Sequence, residues 1–163
     1  MAEASPKMEL NDEGVHVELT YEHLDPVSVM NKVKSPKAGA IVLFAGTTRD
    51  SFDSKPVKQL EYSAYPALAL KSMLKLARDV RQKHSLTAVA IIHRLGVVPI
   101  GEESILIAVS SPHRQAAWRG GEEALEVCKA KVEIWKLEEF EDGGGVWRAN
   151  RDGQSGVKVA ENE

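Results

Sequence analysis

Glu103-Ser104-Ile105-Leu106-Ile107-Ala108-Val109-Ser110-Ser111-Pro112-His113-Arg114 is the stretch on which the fold turns. Residues 103–110 form an apolar run of strand length. Ser111 then offers a helix N-cap and Pro112 the first helical position. Beyond them Ala117, Gly121, Ala124, Leu125 and Cys128 recur on one helical face, the expected buried one. Residues 132–140 read as the next strand. A strand that runs into a helix and back into a strand needs a sheet for the helix to pack on.

The same alternation extends outward. Val15, Val17 and Leu19 alternate with His16, Glu18 and Thr20, the pattern of a half-buried strand. Asp25-Pro26 reads as N-cap and first residue of a short helix to about Val33, and Ser35-Pro36-Lys37-Ala38-Gly39 breaks it. Ala40-Ile41-Val42-Leu43-Phe44-Ala45 is continuously apolar, which predicts a strand covered on both faces. A polar loop follows, then a strand over residues 57–65 with Leu60, Tyr62 and Ala64 on one face. Pro66 opens a long helix whose buried stripe is Leu70, Met73, Leu74, Ala77 and Val80. Residues 86–93 are a further strand, and residues 96–101 the turn that leads into 103–110. Gly143-Gly144-Gly145 is a turn before a last short strand, Val146-Trp147-Arg148. This order, hairpin links mixed with helical crossovers, predicts an α+β domain with a mixed sheet and helices largely on one side. Residues 1–13 are expected to be a disordered lead, 14–150 the domain, and 151–163 a loose tail.

Composition narrows the function. The chain has 163 residues, one domain's worth, and a formal net charge of -3, which argues against nucleic acid as a partner. No apolar run approaches the ~20 residues of a membrane span, and the N-terminus has neither signal nor transit character. The expected compartment is the cytosol. Cys128 is the single cysteine, so no internal disulfide can form. The histidines at 16, 23, 84, 93 and 113 do not pair with Cys or carboxylates at ligand spacing, so neither a metal nor a cofactor is expected. No glycine fingerprint follows a strand, which argues against a dinucleotide fold.

Cations concentrate in three places. His113 and Arg114 fall in the first turn of the predicted helix, where free N–H groups and the dipole favour an anion. The alternative is a surface His-Arg pair. Arg49 follows a strand on a loop, either as a ligand-binding group or as a solvated partner of Asp50 or Asp53. Lys129 and Lys136, seven positions apart, read either as anion binders and proton-transfer groups or as solvated lysines, one of them complementing a helix dipole. Cys128 reads as a small core residue. His93 ends a strand and reads as a structural partner, outside the catalytic set.

Five segments resemble the large, catalytic subunit of molybdopterin synthase: Phe44-Ala45-Gly46-Thr47-Thr48-Arg49-Asp50, Leu60-Glu61-Tyr62-Ser63-Ala64-Tyr65-Pro66, Ile92-His93-Arg94-Leu95-Gly96, Ser111-Pro112-His113-Arg114, and Lys129 with Trp135-Lys136. They stand in family order. The resemblance implies an α/β hammerhead-like domain with an additional small antiparallel sheet. It implies a sulfurtransferase that converts cyclic pyranopterin monophosphate to the molybdopterin dithiolene. The donor would be a small ubiquitin-like sulfur-carrier subunit with a C-terminal Gly-Gly thiocarboxylate, in a heterotetramer built on a homodimer of the large subunit. Position by position, it makes Arg49, His113 and Arg114 substrate-binding, Lys129 and Lys136 catalytic or tail-binding, and Lys136-Leu137-Glu138 the pocket lining. Glu133 stands where the family often has proline, and Leu137 where a basic residue is common. Two other readings compete: a non-catalytic module that binds a ubiquitin-like partner's tail, and a phosphate-ester hydrolase.

Overall fold

The computed structural model describes residues 8–150 and 156–158. In chain order the elements are β1 (Met8–Asp12), β2 (Val15–Thr20), α1 (Pro26–Val33), β3 (Ala40–Thr47), β4 (Ser51–Phe52), β5 (Lys55–Ala64) and α2 (Pro66–Lys83). Then come β6 (Ala88–Arg94), β7 (Gly96–Pro99), β8 (Glu103–Ser111), α3 (Arg114–Lys131), β9 (Ile134–Phe140), β10 (Gly145–Ala149) and β11 (Val157–Lys158). The fold is α+β, with one mixed sheet and one antiparallel sheet, as the resemblance implied. The first has five strands in the order β1-β2-β6-β8-β3 and is mixed, because β2 and β6 run parallel. The second joins β11-β10-β9-β5-β4, with β7 also paired to β5, all antiparallel.

β8 is buried along almost its whole length because helices cover both faces of the first sheet. On one face α2 and α3 bury Leu70, Met73, Ala77, Ala117 and Ala124 against Val17, Ile91, Ile107 and Val109. On the other, α1 sets Val29 and Val33 against Ala90, Ile92, Leu106 and Ala108. Each of those two valines contributes about 1.5–3 kcal/mol by leaving water. Asp25 caps α1 as expected, its carboxylate accepting from the N–H groups of Val27 and Ser28. α3 lies close to its neighbours because of glycine. A Cβ at Gly120 would stand 2.7 Å from Leu86 Cδ1, inside contact distance.

Several expectations need correction. Residues 8–12 are not a disordered lead: β1 pairs with β2, and Met8 and Leu10 pack on the main core. An ion pair from Arg78 of α2 to Asp12 adds to this anchoring. Residues 1–7 lie outside the described residues, as do 151–155 and 159–163, which make up most of the expected tail; Val157 and Lys158 are paired to β10. β3 is an edge strand of half-buried residues, because among the described strands only β8 pairs with it. Both faces of this apolar run are nevertheless covered as expected, Val42 and Phe44 packing on the main core and Ile41 and Leu43 on the second. The expected turn at 96–101 contains β7, whose backbone completes the second sheet. The polar loop after Arg49 holds the β4–β5 hairpin, turned at Asp53 and Ser54, both with positive φ as a tight two-residue hairpin turn requires.

The start of α3 also differs. Ser111 ends β8, His113 is the N-cap, and Arg114 is the first helical residue. The Ser111 hydroxyl donates to the His113 carbonyl instead of accepting from a helix N–H, and His113 makes no side-chain cap hydrogen bond.

Candidate functional site

Where the two sheets meet, they enclose a cleft of about 300 Å³. The first sheet contributes Phe44, Gly46 and Thr47 from β3, His93 from β6 and Ser104 and Ile105 from β8. The second contributes Leu60 and Tyr62 from β5, Lys136 and Glu138 from β9 and Arg148 from β10. Arg49, Phe52, Lys129 and Asn150 also line it.

Lys129 reaches the cleft from the last turn of α3, and only two residues separate the end of that helix from β9. The chain reverses there, so Lys136 faces the same space. Side chains alternate along a strand, so Lys136 and Glu138 line the cleft while Leu137 does not. Arg49 stands on the exposed loop after β3. Four cations, Arg49, Lys129, Lys136 and Arg148, therefore share the cleft with one carboxylate, Glu138.

That carboxylate is almost fully buried and accepts from Arg148 Nε at 3.1 Å. The Arg148 guanidinium also lies 4.6 Å from the Phe52 ring centroid, a cation–π contact. His93 is buried at the cleft floor. Its Nδ1 lies 2.8 Å from the Arg94 carbonyl, its Nε2 lies 3.3 Å from the Asn150 amide nitrogen, and Tyr62 meets its ring edge-on at 4.8 Å. Burial pushes its pKa down to about 4, so the ring is neutral at pH 7.

Of the residues singled out from sequence, the fold brings together Arg49, Lys129, Lys136 and Glu138. It leaves out Leu137, which points to the other face of β9, and also His113 and Arg114. Those two are exposed at the opposite end of α3, beside the start of β3. The sequence reading missed Arg148 and Asn150 and set His93 aside. The available signal was strand alternation. Arg148 stands opposite Lys136 in the β9–β10 register, so the two share a face.

Cys128, next to Lys129, is 1% exposed, and burial pushes its thiol up to about 12. A thiol held neutral at pH 7 is a poor nucleophile. Cys128→Ser is expected to leave turnover within about twofold of wild type, while a hydroxyl on an apolar face lowers stability by about 1–3 kcal/mol. Loss of turnover at unchanged melting temperature would place the thiol in the chemistry. Away from the cleft, the β1–β2 hairpin brings Glu9, His16 and Glu18 within ligand distance of one another, a grouping that sequence spacing did not reveal. The His16 ring nitrogens there are engaged by Asn11 and Glu18.

Fold and site together define the class: an α+β domain whose two sheets hold a cation-rich cleft. Residues 19–131 match the model of the MoaE protein family. The chain is 67% identical over 156 residues to the molybdopterin synthase catalytic subunit of Sclerotinia sclerotiorum, covering 95% of this chain and 80% of that one. It is 65% identical to the protein of the same name from Neurospora crassa, covering 94% and 75%. Among solved structures, molybdopterin synthase from Staphylococcus aureus superposes with a TM-score of 0.76 at 35% identity, covering 80% of this chain and 94% of that one. The chain belongs to the MoaE family, the catalytic subunits of molybdopterin synthase, and is an enzyme that transfers sulfur in molybdopterin formation. This decides against the hydrolase and the non-catalytic module.

Proposed function

We propose that the cleft between the sheets is where sulfur passes from a small ubiquitin-like subunit to cyclic pyranopterin monophosphate. The observation that carries this reading is the convergence of Arg49, Lys129, Lys136 and Arg148 on one cleft. Both reactants are anionic, one through a phosphate and the other through a C-terminal thiocarboxylate. Each needs a cation to hold it and to offset charge as bonds change. Lys129 and Lys136 take the thiocarboxylate end of the Gly-Gly tail and supply protons during transfer. Arg49 binds the pterin. Glu138 orients Arg148 through their hydrogen bond and touches neither reactant.

His113 and Arg114 act in the cleft of a second copy. α3 runs unbroken through Gly120 and Gly121, both packed against neighbouring elements, so no kink shortens it. Arg114 and Lys129 are then separated by about 22 Å at ~1.5 Å rise per residue. One small pterin cannot bridge that distance within one chain. A symmetric homodimer would place the start of α3 from one copy at the cleft of the other. With two small subunits this gives a heterotetramer, working in the cytosol.

Complementation tests the arrangement. Arg114→Ala and Lys129→Ala proteins are mixed under conditions that exchange subunits, then supplied with thiocarboxylated small subunit and cyclic substrate. Product is followed by mass spectrometry of the pterin. Each mixed dimer would hold one intact site, so roughly a quarter of full activity is expected at equal mixing. No recovery with exchange confirmed by native mass would mean that Arg114 and Lys129 do not serve in one shared site.

A further inference from the structure

We propose that His93 is a positioning residue for sulfur transfer, acting through Asn150 on the wall that carries Lys136 and Arg148. The inference rests on the reading of Lys136 as a catalytic group.

The argument begins with hydrogen-bond direction. The Arg94 carbonyl can only accept, so the hydrogen of the neutral His93 ring is on Nδ1. Nε2 then carries a lone pair. The group opposite it is the Asn150 side-chain amide nitrogen, which can only donate. Donors and acceptors match throughout, and both side chains are buried, at 1% and 8% exposure. The pair crosses the cleft floor from β6 of the first sheet to the residue that follows β10 of the second.

Asn150 is held a second time, by its backbone N–H donating to the Ile134 carbonyl at 3.1 Å. Ile134 is the first residue of β9, two positions before Lys136. From there the β9–β10 register pairs Trp135 with Ala149 and Lys136 with Arg148. Fixing Asn150 therefore fixes where Lys136 and Arg148 stand relative to the opposite wall. Through this contact His93 ties this end of the second sheet to the first. Tyr62, edge-on to the ring, keeps the imidazole from turning. A misplacement of about 1 Å of a reacting group is enough to cost 10²-fold in rate.

The test uses the assembled enzyme with thiocarboxylated small subunit, following pterin product in His93→Phe, His93→Gln, Asn150→Ala and the His93→Phe/Asn150→Ala double variant. A glutamine amide reaches the place of Nε2 and can present its oxygen to Asn150. His93→Phe and Asn150→Ala are each expected to lower kcat about 10–100-fold with KM for the cyclic substrate within about twofold. His93→Gln should recover most of the loss, and the double variant should be no worse than the worse single one. A general loss of folding would not follow that pattern. Multiplying losses in the double variant, or a fall confined to KM, would overturn the tether. If His93→Phe does not fold, Asn150→Ala decides: wild-type kcat in that protein overturns the proposal. Lys136→Ala is run alongside. Full activity there would remove the catalytic assignment of the lysine. An inactive Lys136→Ala with an unaffected Asn150→Ala would remove the tether alone.

Discussion

Lys129→Ala is expected to lower the rate of dithiolene formation by about 10²–10⁴-fold, the usual contribution of a positioned proton-transfer group. The fold should survive. Lys129 is half-buried in the last turn of α3, and the lost dipole interaction costs only about 0.3–1 kcal/mol. The packing of that turn rests on its neighbour Cys128 and on Ala124, which the substitution does not touch. Single-turnover mass spectrometry of the pterin, beside a melting curve, separates the two effects. Wild-type turnover by a folded Lys129→Ala protein would remove this lysine from the chemistry and leave Lys136 as the candidate.

Glu138→Ala should instead act through stability. Its carboxylate is 2% exposed and holds Arg148, itself largely buried. Removing one partner of a buried ion pair typically costs about 3–5 kcal/mol, because the remaining charge loses the group it was buried against. For a domain of this size that is a fall of roughly 6–20 °C in melting temperature. Glu138→Gln keeps an oxygen that can accept from Arg148 Nε and should lie between the two. Equal melting temperatures for wild type and Glu138→Ala would show that Arg148 finds water or another acceptor and that the pair adds little. Activity should fall in Glu138→Ala even below its melting temperature, because Arg148 shares a face with Lys136.

Much of the fold was legible because it follows from local physics. Proline and an N-cap aspartate announced α1. Helical spacing announced α2 and α3, and alternation announced β2. The misreadings came where two environments share one pattern. Ala40-Ile41-Val42-Leu43-Phe44-Ala45 is covered on both faces as its apolar run implies, but its place at the sheet edge was not legible, because composition carries no information about what lies beyond the last hydrogen bond. Ser111-Pro112 has the composition of a helix start, but pairing with Ala40 extends β8 through Ser111 and moves the first turn to Arg114.

The site divides along the same line. The sequence by itself determined the inventory: two lysines bracketing a helix-to-strand junction, Arg49 after a strand, a cysteine on an apolar face, and ordered segments that resemble one family. Strand alternation, which is local, also held the signal that Lys136 and Glu138 share a face without Leu137, although the resemblance had put all three in the pocket. Only the tertiary structure decided which cations meet. Strands β3, β5, β6, β8, β9 and β10 converge on the cleft from widely separated parts of the chain, and their placement depends on sheet order and register. The same long-range packing made His93 a buried neutral ring facing Asn150, 57 residues away in sequence. It also put His113 and Arg114 at the far end of a rigid helix from Lys129. A hydrogen bond or distance set by the meeting of two sheets has no counterpart in any short window of sequence, so it becomes visible only when both sheets are in place.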